Sequence, residues 1–370
     1  MNTELFITSH KFKTLERTIS TGPNGSLLFV ACNSGIDFAN SVKKEYEKML
    51  KLTKSIYSEV PIIGTHESPV TNIFSDTETR PRLSAHVAGS DVFVFQSVHE
   101  NLSGNSVNEN IQQLLQVVRT IKAHRAQTIT VLTPYSPYSR QDKPTFMKRE
   151  AALASLFADQ LKIAGADVYL TYHAHTIGLC GFYEPEIKFV ALSGLYLFLK
   201  IFEKFKERRD VAVISTDAGG AKFAIRLSEI LKITYAISSK FRRKKDDSNL
   251  IGIIGDLEDK KIAIITDDET VTGKSILNTV KSIYEDHGIK ETYVAVSHLK
   301  VRKEYFDGFV EAFEKYGLKE LHITDTIPQI PELLKLDFVK MHSITGIMAS
   351  TINRLHFNRS ITEYFIEENV

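Results

Sequence analysis

The strongest constraint on this chain is a repeating alternation. Short runs of β-branched and aromatic residues are each followed by a longer stretch with apolar residues at helical spacing. Leu27–Ala31 (LLFVA) reads as a strand and Asp37–Leu50 as a helix. Asp91–Gln96 (DVFVFQ) is the next strand, and the stretch after it puts Ile111, Leu114, Leu115, Val118 and Ile121 on one helical face. Strand Thr128–Thr133, helix Glu150–Ala164 and strand Val168–Tyr172 follow. The second half resumes with strand Val211–Ser215, helix Ala221–Leu231, strands Ile233–Ser238 and Ile262–Ile265, a helix over 275–286 and strand Thr292–Ser297. Near-continuous apolar strands separated by helices are the pattern of βαβ units. The expected fold class is α/β, with mainly parallel sheets flanked by helices and the two halves forming two similar domains.

Composition narrows the function classes. A chain of 370 residues with 43% hydrophobic and 25% charged residues is large enough for two cores. A formal net charge of +1 argues against a dedicated nucleic-acid binder. Cys32 and Cys180 are too few for a disulfide framework and suit a reducing cytoplasm. No run is long enough to span a bilayer, and the N-terminal residues lack the continuous apolar stretch of a signal peptide. Residues 1–26 read as a polar extension, and the charge-rich stretch Phe198–Asp210 lies near the boundary between the halves.

The chemistry gathers at strand ends, where ligands bind in open α/β sheets. Asp267 and Asp268 follow Ile262–Ile265, and a hydroxyl-rich turn then leads into a helix start. Free N–H groups at a helix N-terminus suit a phosphate, and vicinal carboxylates beside it suit the two vicinal hydroxyls of a phosphorylated ribose. Gly273-Lys274-Ser275 resembles the tail of a P-loop, but the motif's first glycine would fall on Asp268. Other strand ends are also polar: Arg140, Gln141 and Lys143; His173 and His175; Asp217 followed by Gly219 and Gly220; and the basic run holding Lys240 and Arg242. Any one of these could be solvated loop. On an extended segment His173 and His175 would point to opposite faces, so a shared metal site there requires the strand to have ended.

Taken in order, these segments resemble the ribose-phosphate pyrophosphokinases over roughly residues 27–365. The matching stretches are Phe74–Glu78, Tyr138–Lys143, Leu170–Tyr183, Thr216–Gly220, Lys240–Arg242, Ile253–Asp256, Asp267–Ser275 and Asp325–Pro328. The resemblance implies two phosphoribosyltransferase-like domains over 27–190 and 191–344, the first completed by 345–370. It implies transfer of the β,γ-pyrophosphate of ATP to the anomeric hydroxyl of ribose 5-phosphate, with Mg²⁺ as cofactor. Arg140, Gln141 and Lys143 would contact ATP, and Phe74, Asp76 and Glu78 would reach adenine from a neighbouring subunit, so a homo-oligomer is expected: a dimer or a dimer-based hexamer. His175 and Asp217 would bind Mg²⁺, with His175, Lys240 and Arg242 in the catalytic set. Asp267 and Asp268 would hold the ribose hydroxyls, and Thr272, Gly273 and Ser275 the 5-phosphate. No nucleic-acid or membrane partner is expected.

The chain also departs from the family's pattern. Val271 replaces an acid in the phosphate turn, Lys274 replaces its second glycine, and His173 replaces an acid two residues before the metal histidine. Where regulated members carry Ser-x-Arg, this chain has His86-Val87-Ala88, so activation by inorganic phosphate is expected to be weak or absent. Val271 and His173 favour an alternative, a non-catalytic homologue that binds nucleotide or ribose phosphate and regulates a partner. Lys240, Arg242, His175 and Asp217 oppose it. A phosphoribosyltransferase is a third reading, opposed by the ATP segment.

Overall fold

The computed structural model describes residues 22–53, 55, 59–99, 104–240 and 251–361, with side chains left out at 239, 240 and 251. The chain divides into two compact units. The first runs to Leu192 and takes up the segment that starts at Ser343, and the second spans Ser193–His342.

The first unit contains β1 (Ser26–Ala31), β2 (Ile62–Ile63), a hairpin of β3 (Thr71–Ile73) and β4 (Thr79–Pro81), then β5 (Ser90–Phe95), β6 (Thr128–Leu132), β7 (Val168–Tyr172) and β8 (Lys188–Leu192). Its main sheet has the order β2-β1-β5-β6-β7-β8, and every neighbouring pair is parallel. Val92, Phe93, Val94 and Phe95 of β5 are fully buried, as a strand covered on both faces requires.

Helix Val107–Ala123 starts from a capping box: Ser106 Oγ accepts from Glu109 N, and the Glu109 carboxylate accepts from Ser106 N. It buries Ile111, Leu114, Val118 and Ile121, while Leu115 is half-buried. The helix expected over Glu150–Ala164 begins instead at Leu153. Glu150 has another task, since its carboxylate accepts from Thr145 N and closes the preceding turn. The segment from Ser343 contributes helix Thr345–His356, whose Asn353 donates to Tyr46 Oη at 2.9 Å. His356 Nδ1 lies 2.7 Å from Asp91 Oδ2 at the start of β5, both side chains buried.

The second unit contains β9 (Val211–Ser215), β10 (Thr234–Lys240), β11 (Ile251–Ile254), β12 (Ile262–Thr270), β13 (Glu291–Leu299), β14 (Leu318–Thr324) and β15 (Val339–His342). The sheet order is β11-β10-β9-β12-β13-β14-β15. All pairs are parallel except β10 with β11. The expected α/β class, with parallel sheets flanked by helices in both halves, therefore holds.

Phe198–Asp210, charge-rich in sequence, is built on buried aromatic residues. Helix Leu195–Phe202 and the turn after it bury Phe198, Phe202 and Phe205 against Val211, Val213 and Leu227, and their charged neighbours face outward. β12 does not stop at Ile265. It continues through Asp267 and Asp268 to Thr270 because β13 extends alongside it, pairing Asp267 with Val296 and Thr270 with Leu299. The paired acids thus lie on a hydrogen-bonded strand extension. Among the described residues no helix is long and apolar enough to cross a membrane.

Candidate functional site

At the carboxyl end of β9 the chain turns through Thr216–Gly220 into helix Ala221–Leu231. Asp217 Oδ1 accepts from Gly219 N at 2.8 Å and Gly220 N at 3.1 Å, which fixes an exposed carboxylate on its own turn. On neighbouring β12, Asp267 Oδ2 accepts from Thr216 Oγ1 at 2.9 Å. The Asp267 carboxyl is held well above the usual carboxylate range. Desolvation is the main cause, followed by the charge and hydrogen bond of Asp268, with the charge of Asp217 adding to it. Three carboxylates therefore crowd one sheet edge, an arrangement that favours a ligand bringing hydroxyl donors or positive charge.

The turn after β12 is closed by its own hydroxyls. Thr270 Oγ1 accepts from Gly273 N at 3.1 Å, and Thr272 Oγ1 from Lys274 N at 3.4 Å. Gly273 adopts φ +73°, and a Cβ there would sit 2.6 Å from the Phe309 ring, so no other residue fits without displacement. Helix Lys274–Glu285 starts at this point, with Ile276, Val280 and Ile283 buried. Thr279 Oγ1 donates to Ser275 O at 2.9 Å and shares a hydrogen bond with Ser238 Oγ at 3.1 Å, tying the helix to β10. Val271 is exposed, as is Lys274. Lys240 ends β10 with its side chain outside the description, and Arg242 lies outside the described residues.

In the first unit the segment after β6 buries Tyr135, Ser136 and Ser139 and exposes Arg140, Gln141 and Lys143. Gln141 O accepts from Ala154 N at 3.2 Å, which joins this segment to helix Leu153–Ala164. Lys143 Nζ pairs with its neighbour Asp142 at 3.0 Å. Phe74, Asp76 and Glu78 lie on the turn of the β3–β4 hairpin, where Thr77 takes φ +72°. Phe74 N donates to Glu78 O at 2.8 Å, and Asp76 Oδ1 accepts from Glu78 N at 3.1 Å. Phe74 is 41% exposed, with the Arg80 guanidinium 4.8 Å from its ring centroid. The hairpin and the Arg140 segment both attach to helix Val107–Ala123, through Thr79 to Gln116 and through Tyr138 to Asn108.

The strand holding His173 and His175 ends before either histidine. β7 stops at Tyr172, and His173 takes φ +41°. His173 is buried, and its backbone N donates to Leu192 O at 2.7 Å; His175 is exposed.

The structure thus gathers Asp217, Asp267 and Asp268 at one edge, with Thr272, Gly273 and Ser275 on the adjoining turn. Arg140, Gln141 and Lys143 share a second segment, and Phe74, Asp76 and Glu78 a third. Thr216 and Thr270 were not identified as individual contacts, although a hydroxyl directly after a buried strand is a readable signal. Among the described residues no group of three or more His, Cys, Asp or Glu side chains could hold a metal ion. Mg²⁺ needs no such cage, because it takes one or two carboxylates with waters and phosphate oxygens. The exposed carboxylate of Asp217 and the crowded Asp267 offer oxygens of that kind, so the residues present fit such an ion.

Comparison with known sequences and structures gives consistent likenesses. Residues 29–165 match the N-terminal domain of ribose phosphate pyrophosphokinase. Residues 209–366 match a phosphoribosyl synthetase-associated domain. The ribose-phosphate pyrophosphokinase of Fusobacterium nucleatum is 36% identical over 293 residues, covering 79% of this chain and 88% of that protein. The Bacillus subtilis enzyme of the same name is 31% identical, covering 79% and 87%. The crystal structure of phosphoribosylpyrophosphate synthetase from Mycobacterium smegmatis superposes with a TM-score of 0.74 at 24% identity, over 90% of this chain and 100% of that one.

Proposed function

The chain belongs to the ribose-phosphate pyrophosphokinase family, and on that premise we propose that it transfers the β,γ-pyrophosphate of ATP to the anomeric hydroxyl of ribose 5-phosphate, giving phosphoribosyl pyrophosphate and AMP. The observation that carries this reading is the edge formed by Asp217, Asp267 and Asp268 beside the hydroxyl-closed turn. Burial and mutual repulsion push Asp267 upward there, and a sugar diol supplies the donors that relieve it.

Asp267 and Asp268 accept from the two ribose hydroxyls. Thr272, Gly273 and Ser275, at the start of helix Lys274–Glu285, hold the 5-phosphate with help from the helix dipole. Lys274, exposed at the first helical position, adds a cation beside it. Arg140, Gln141 and Lys143 hold the triphosphate, and Phe74, Asp76 and Glu78 frame the adenine.

The anomeric oxygen attacks the β-phosphorus in line. A new bond forms between the anomeric oxygen and the β-phosphorus as the bond from that phosphorus to the α,β-bridging oxygen breaks; AMP leaves with that electron pair, and the hydroxyl proton is released to solvent. Lys240 and Arg242 stabilise the charge that spreads over the transferred oxygens. Asp217, with Asp267 beside it, would hold Mg²⁺, which would neutralise phosphate oxygens when bound. With substrates fixed in this way, catalysis is mainly positioning and charge stabilisation.

Cys32 and Cys180 are both free, which fits a cytoplasmic enzyme. The adenine turn of Phe74–Glu78 serves a neighbouring copy, so the working assembly is at least a dimer. The test is AMP formation from ATP, assayed with each component withheld in turn. The reading expects dependence on both Mg²⁺ and ribose 5-phosphate. Sugar-independent loss of ATP, or consumption of phosphoribosyl pyrophosphate with a free base, would reject it.

A further inference from the structure

Next to the residues that would touch substrate, the second unit holds an ion pair that this chemistry does not use. Lys300 Nζ donates to Glu269 Oε2 at 2.6 Å, and the two side chains are 7% and 2% exposed. An apolar pair of similar volume often serves a fold as well as a buried ion pair does, so the location calls for an explanation.

Glu269 lies two residues after Asp267 on β12 and directly precedes Thr270, whose hydroxyl closes the turn on Gly273. The neighbouring strands stop short of this point. β9 last pairs with β12 at Ser215 and Thr266, and β14 last pairs with β13 at Ile323 and Val296. Beyond these positions β12 and β13 run on together, with Glu269 opposite His298 and Thr270 opposite Leu299. A two-stranded projection is marginal by itself.

The β13 side of the projection is anchored separately. Thr324 and Thr326 hydroxyls donate to Ser297 O at 2.5 and 2.8 Å, and Gln329 Nε2 donates to Leu299 O at 2.8 Å. The β12 side reaches that anchor through Lys300 twice: its backbone N donates to Thr270 O at 2.8 Å, and its ammonium holds Glu269.

We propose that the Glu269–Lys300 pair is a positioning element for the 5-phosphate turn, fastening the end of β12 to the anchored β13 and so setting where Thr272–Ser275 present their donors. The inference rests on the reading of that turn as the ribose 5-phosphate site. It assigns the pair to capture of the sugar phosphate and leaves the nucleotide side untouched.

The test compares Glu269→Gln and the double variant Glu269→Leu/Lys300→Met with the full-length wild-type enzyme. Glu269→Gln should raise KM for ribose 5-phosphate by about tenfold while KM for ATP stays within about twofold. The double variant removes the stranded charge, so its melting temperature should return to the wild-type value while its sugar-phosphate KM stays high. A merely structural pair predicts the opposite, with stability and KM restored together in the double variant. That result, or an unchanged KM in Glu269→Gln, would overturn the proposal. If Glu269→Gln does not fold, the double variant decides the question alone. Failure of the functional reading would look different: wild-type protein would not make AMP in response to ribose 5-phosphate at all.

Discussion

The turn after β12 is fixed from within, whereas the Arg140–Lys143 segment and the Phe74–Glu78 turn present their side chains to solvent. In the second unit Asp267 is held by Thr216, Asp217 by two glycine amides, and the Gly273 amide by Thr270. In the first unit the backbone is equally well tied, but Arg140, Gln141, Lys143, Phe74, Asp76 and Glu78 are all exposed. Under the proposed function the contrast would serve two kinds of ligand. A small rigid sugar phosphate is gripped by a few pre-set groups, and loss of any one is felt strongly. A long flexible nucleotide is held by many exposed contacts, each worth less, and orders them as it binds.

Substitutions put this contrast to the test. The largest effect is expected at Lys240, which belongs to neither binding half. Lys240→Ala should lower kcat by about a thousandfold with both KM values little changed. A large KM effect with kcat intact would move Lys240 from the transfer step to ground-state binding. The double substitution Asp267→Asn with Asp268→Asn comes next, weakening ribose 5-phosphate binding by roughly a hundredfold or more, as calorimetry would show. Unchanged sugar affinity would reject the diol clamp.

Much of this contrast was legible in the sequence, because parallel sheets advertise themselves through apolar strands and helical spacing. The paired acids and the glycine of the turn were found because their residue types are unusual at a strand end. The length of β12 was not, since Asp267-Asp268-Glu269-Thr270 carries no β signal of its own and is held by its neighbour β13. The buried phenylalanines of Phe198–Asp210 were hidden for a related reason: the lysines and glutamate between them, and the charged run after Phe205, face solvent and mask the pattern. The contact between Thr216 and Asp267 links positions far apart in the chain, which no local pattern reveals.

Smaller effects test the geometry. Gly273→Ala must tolerate φ +73° and a Cβ that meets the Phe309 ring at 2.6 Å. It should cost about 1–3 kcal/mol of stability in a denaturant melt and raise KM for ribose 5-phosphate about tenfold, with ATP unaffected. Phe74→Ala should act on the other side, raising KM for ATP up to about tenfold through lost stacking and leaving the sugar phosphate alone. If either variant affects the wrong substrate, the division of labour fails.

The smallest effect is a displacement along the pH axis. Desolvation and the Asp268 charge raise the Asp267 carboxyl, and only its ionised form is a full acceptor for hydroxyls. Affinity for ribose 5-phosphate should therefore fall as pH drops through that raised value, at a higher pH than an ordinary carboxylate would give. Asp268→Asn removes one of the two main causes, so the acid limb should move to lower pH. A limb that does not move would mean that Asp267 and Asp268 do not act as a pair.

The most direct measurement follows the phosphorus atoms by NMR while the protein turns over ATP with ribose 5-phosphate and Mg²⁺. Transfer of an intact pyrophosphate predicts AMP and phosphoribosyl pyrophosphate appearing in equal amounts, with neither ADP nor orthophosphate formed and no reaction when the sugar is withheld. ADP as the nucleotide product, or AMP released without the pyrophosphorylated sugar, would contradict the account.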